Sequence, residues 1–83
     1  MTNQTVDLNE MTTKFESFIK THINMAKWGL IDTKVAGAHI TGYFDGMHDM
    51  FPMNDKMYNL LDLSNDALYG DRLQQEIALR YFK

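Results

Sequence analysis

Cysteine is missing altogether from these 83 residues. Its absence removes disulfide frameworks, thiolate zinc sites and cysteine nucleophiles from consideration. Small secreted domains usually depend on such staples, so a reducing, cytoplasmic setting is expected. Long hydrophobic runs are missing as well: nothing approaches the roughly 18 apolar residues of a membrane span. The opening segment MTNQTVDLNE is polar and carries no basic-then-apolar leader pattern. Basic excess is a third absence. The net charge is −3, and no stripe of Lys and Arg follows a phosphate backbone. Neither direct nucleic-acid binding nor a membrane partner is expected. Proline occurs once, at Pro52, and no linker, repeat or low-complexity segment divides the chain, so residues 1–83 read as one domain.

What remains is ordinary for a folded domain: 45% apolar and 23% charged residues, too apolar for disorder. Seven methionines suit irregular gaps or adaptable partner surfaces. The acids are unevenly spread. Between Asp45 and Asp71 lie six aspartates and a single base, Lys56, whereas the tail after Asp71 carries Arg72, Arg80 and Lys83 against Glu76.

Helical spacing predicts an all-α bundle. Asp7 and Glu10 form a capping-box pattern ahead of Leu8, Met11, Phe15, Phe18/Ile19 and Met25/Ala26, which recur every three or four residues. This first helix covers about 8–28, with Gly29 as its left-handed terminator. A second cap at Asp32 or Thr33 starts a helix over about 33–51, along Ala36, Ile40, Tyr43/Phe44 and Met47. Pro52 ends it, because the residue before proline is disfavoured in helical geometry. The short connection makes these two long helices antiparallel. A short helix follows over about 53–62. Ser64 is read as the next N-cap, with Leu63 and Leu68 as its hydrophobic staple, opening a C-terminal helix over about 65–82. Gly70 interrupts that stripe, and Asp71-Arg72-Leu73-Gln74 offers a restart.

The oddest stretch is VAGAHITGYFDGMHDMFP, Val35 to Pro52. Three glycines inside a helix cost about 3 kcal/mol relative to alanine, so something should offset them. Ala38, Gly42 and Gly46 recur every four residues and form a smooth ridge for close helix packing, within the chain or across a dimer axis. Asp45, His48 and Asp49 share one helical side and are weak candidates for a divalent metal, better read as a solvated acidic end. His39 lies too far around the helix to join them, and His22 belongs to another rod.

Serine lacks a His–Asp partnership, and no phosphate-cradling glycine loop follows a strand. No catalytic residue and no cofactor are implied, and the chain reads as non-enzymatic. The expected function is binding another protein as a regulator or inhibitor, a style that fits a phage or mobile-element product acting in a host cell. The partner is expected to present a basic patch to Asp45, Asp49, Asp55, Asp62 and Asp66, with Met47, Met50, Phe51 and Met53 as apolar anchors. Ile77/Tyr81 and Leu79/Phe82 make the last helix apolar on two sides, which points to a homodimer or higher oligomer. The alternative is a nucleotide-like anion held between helices or subunits by Trp28, Tyr43, Phe44, Lys27 and Lys34. Trp28 itself reads first as a core or interface anchor.

Overall fold

The computed structural model describes residues 7–82. The polar segment 1–6, in which no leader pattern was read, and Lys83 of the basic tail lie outside the described residues. Four helices follow one another: α1 (Leu8–Lys27), α2 (Thr33–Met50), α3 (Asp55–Tyr69) and α4 (Arg72–Tyr81). Among the described residues there is no strand, and no helix is long and apolar enough to cross a membrane.

The helix ends follow from local chemistry. Asp7 accepts from the amides of Asn9 (3.0 Å) and Glu10 (3.2 Å), so α1 has its cap. Glu10 does not complete the expected box. Its carboxylate lies 3.3 Å from Lys14 Nζ instead, an exposed pair worth only tenths of a kcal/mol. At the other end Leu30 N–H reaches Met25 O and Gly29 N–H reaches Ala26 O, the paired bonds of a Schellman terminator. That turn needs a left-handed residue, and Gly29 supplies it at φ 77°. Asp32 caps α2 by accepting from Lys34 N at 2.7 Å. Phe51, held extended ahead of Pro52, ends it.

Asn54 caps α3 and does a second job. Its Oδ1 accepts from Met57 N, while its Nδ2 donates to Thr12 Oγ1 at 3.1 Å. Thr12 is buried and donates in turn to Leu8 O. This short polar chain pins the α2–α3 turn onto the first turns of α1.

The expected division of the C-terminal half falls elsewhere. Helix α3 runs unbroken through 62–65, and the break comes at Gly70–Asp71, so the last helix is 72–81. Ser64 is not a cap. It is 1% exposed inside α3, and its hydroxyl donates to Leu61 O at 2.7 Å. Met57, Leu60, Ser64, Ala67 and Leu68 form one buried stripe, so the apolar rhythm carries straight across the serine. Leu63 and Leu68 accordingly sit within one helix and staple nothing. The full capping box belongs to Asp71 and Gln74, whose side chains and backbones bond reciprocally at 2.9 and 3.0 Å.

Partner positions give the directions. Phe15 meets Phe44 while His22 meets His39, a nearly constant sum that makes α1 and α2 antiparallel. Thr12 meets Asn54 and Glu16 meets Lys56, so α1 and α3 run together. Helix α4 turns back along α3, its main contact. The core is Phe15, Ile19 and Ile23 against Ala36, Ile40 and Phe44, closed by Met57, Leu60, Ala67 and Leu68, with Ala78 from α4 and Phe82 at its C-cap. Burying each large side chain here stabilises by about 1.5–3 kcal/mol.

Candidate functional site

Helix α4 divides its apolar residues between two sides, as its sequence predicts. Ala78 and Phe82 are buried and Leu79 is half-buried. Leu73, Ile77 and Tyr81, spaced i, i+4 and i+8, are 65%, 55% and 46% exposed and lie along the outer side. Tyr81 also forms one wall of a cleft of about 430 Å³ between α3 and α4. Leu60 and Leu63 contribute its apolar surface, and Asp62, Asp66 and Lys56 stand around it. Lys56 lies 3.8 Å from Glu16, whereas neither Asp62 nor Asp66 is ion-paired among the described residues. The result is an apolar slot edged by two carboxylates and one lysine, beside an exposed apolar helix face.

The sequence-predicted partner residues are only partly gathered. Asp62 and Asp66 join the cleft, but Asp45 and Asp49 are exposed on α2, and Asp55 occupies the first turn of α3, where it complements the helix dipole. The methionine anchors need correction. Met47 and Met53 pack against the core and Phe51 is half-buried, leaving only Met50 exposed, at 74%. The Asn54–Thr12 bond folds this turn inward, and exposed large apolar side chains stand instead along α4 and, as Trp28, Leu30 and Val35, around the α1–α2 connection.

The glycine ridge also needs correction as an internal packing device. Ala38, Gly42 and Gly46 are exposed, and a methyl group added at Gly42 or Gly46 meets nothing within 4 Å. The close approach is made at Gly37, outside the ridge, where the Tyr69 ring lies against the backbone and its hydroxyl donates to Thr33 O. Gly37 was missed because glycine spacing marks smoothness without saying which side faces a neighbour.

The alternative ligand set is dispersed. Trp28 is 70% exposed at the α1–α2 connection and anchors no core, with Lys27 and Lys34 nearby in sequence. Phe44 is buried three turns along α2, and Tyr43 is occupied in stacking on Phe15 and lies tilted against Phe18. Asp45, His48 and Asp49 remain exposed on α2, and among the described residues no group of three or more histidine or acidic side chains converges as metal ligands would. By contrast, His22 and His39, which sequence reasoning did not pair, face each other across the α1–α2 seam. Comparison with known family models, curated proteins and solved structures finds no match to this chain.

Proposed function

We propose that this chain is a non-enzymatic helical module that binds another protein through the outer side of α4 and the adjoining α3–α4 cleft, as a regulator or inhibitor does. The observation that supports the reading is the exposed stripe Leu73–Ile77–Tyr81 beside a slot edged by Asp62 and Asp66, neither of them ion-paired among the described residues. An aliphatic stem ending in a cation suits that slot, because it can bury its methylenes and leave its charge at the carboxylates. A protein presenting lysine or arginine on a basic patch is therefore the partner class. The same carboxylates disfavour a nucleotide-like anion at this cleft. A second copy of the chain is the first partner to examine, since a domain of this size gains from burial beyond its own small core.

Sedimentation of the wild-type chain against Ile77→Asp tests the face directly. Ile77 is exposed, so the substitution should leave helix content and stability within about 0.5 kcal/mol of wild type. Association, with a second copy or with a captured basic protein, should fall more than about tenfold. Asp62→Asn with Asp66→Asn should slow association and flatten its salt dependence. Association unchanged by all three substitutions would end the reading.

A further inference from the structure

The α1–α2 seam holds a pair of histidines that the α4 face does not use. His22 and His39 stand 17 positions apart in sequence, with His22 Nε2 at 3.3 Å from His39 Nδ1. On the other side of its ring, His22 Nδ1 lies 2.9 Å from Phe18 O. A carbonyl oxygen only accepts, so Nδ1 carries the proton and donates, leaving the Nε2 lone pair of the neutral ring directed at the seam. Packing fixes that ring: Phe18 stacks on it with centroids 4.0 Å apart, and Tyr43 backs Phe18 at 4.4 Å. A far nitrogen tied to a backbone carbonyl is the arrangement that orients metal-binding histidines.

The spacing is quantitative. Two imidazole nitrogens on one tetrahedral zinc, at ordinary Zn–N lengths, stand about 3.3–3.4 Å apart with ring centroids about 5.2 Å apart. An in-line N–H···N bond of the same length would place the centroids at about 5.6 Å. The observed centroid separation is 5.3 Å, with the rings inclined at 74°. That separation fits two nitrogens sharing one metal, and a bent N–H···N bond between the rings fits it as well.

We propose that His22 and His39 form a two-histidine site for a borderline divalent transition metal, Zn²⁺, Cu²⁺ or Ni²⁺, with water in the remaining positions. Binding requires His39 to carry its proton on Nε2, which its exposed position permits, and to offer Nδ1 to the metal. Nitrogen ligands select against Mg²⁺ and Ca²⁺, which take oxygen. Among the described residues no third histidine or acid completes the set, so the site is weaker than a closed structural one and exchanges its metal. Joining α1 to α2, the metal stabilises the native chain as it saturates the site.

Thermal unfolding of the full chain at neutral pH with ZnCl2 or MgCl2, together with imidazole ¹⁵N spectra, provides the test. Zn²⁺ should raise Tm and move the resonances of His22 Nε2 and His39 Nδ1, leaving those of His48 in place, and Mg²⁺ should do neither. His22→Ala and His39→Ala should each weaken Zn²⁺ binding by more than about tenfold, and His48→Ala should not. If His22→Ala disturbs the Phe18 stack and unfolds, exposed His39 carries the variant test alone. No Zn²⁺ response, a response that survives His39→Ala, or one that follows His48 overturns the proposal.

Discussion

Gly70 sits where a methyl group has no room, and Gly42 and Gly46 sit where it meets nothing. At Gly70 an added Cβ would lie 2.6 Å from Asp66 O and 2.9 Å from Gln74 Cβ, inside the turn that reverses α3 into α4. The backbone there has φ −69°, which any residue adopts, so glycine is demanded by space and not by conformation. Gly42 and Gly46 are helical and exposed, and among the described residues no close neighbour offsets their helix penalty. The same residue is thus a structural requirement in one region and an uncompensated weakness in another. Counting glycines in a helix cannot separate the two.

Gly70→Ala is expected to have the largest effect. The obstructing atoms are a backbone carbonyl and the Cβ of a residue locked in the Asp71–Gln74 box, so neither yields cheaply. Urea unfolding should show a loss toward the upper end of about 1–3 kcal/mol. An unchanged midpoint would mean that the turn has slack, and that the cleft walled by Tyr81 is not held rigidly. Gly42→Ala combined with Gly46→Ala should move the other way, raising stability by about 1.6–2 kcal/mol. Association through α4 should be unaffected by that pair. If the double variant instead weakens association, the open side of α2 is an interface and the comparison must be redrawn with a neighbour against the ridge.

Caps, terminators and the two long helices were legible in the sequence because they depend on a few adjacent residues. Asp7, Gly29, Asp32 and Pro52 each act on backbone groups within a few positions. The two-sided character of α4 was legible too, since apolar spacing reports which sides of a helix avoid water. Which neighbour covers a side was not legible. Met47 and Met53 looked available until the Asn54–Thr12 bond, spanning 42 positions, drew their turn onto α1. His22 and His39 looked unrelated because their meeting depends on the register between two helices. Gly37 was hidden for the same reason, its neighbour being Tyr69 at the end of α3.

Ser64 shows the limit of local chemistry, and Ser64→Ala should have the smallest effect of all. Serine ahead of an apolar stripe resembles an N-cap, and removing a cap costs about 1 kcal/mol. Inside α3 the hydroxyl bonds a carbonyl three residues back in its own helix, an attachment that does little for helix stability. Alanine forfeits that bond, worth about 0.5–1.5 kcal/mol, but gains helix propensity and leaves no buried hydroxyl to satisfy. The carbonyl of Leu61 keeps a potential partner in the helical amide of Asn65. The opposing contributions should cancel to within about 0.5 kcal/mol in urea unfolding. A loss of about 1 kcal/mol or more would mean that the bond to Leu61 O contributes near the top of its range and that helix propensity does not offset it. The hydroxyl would then help hold the stretch of α3 on which Asp62 and Asp66 form the edge of the docking cleft.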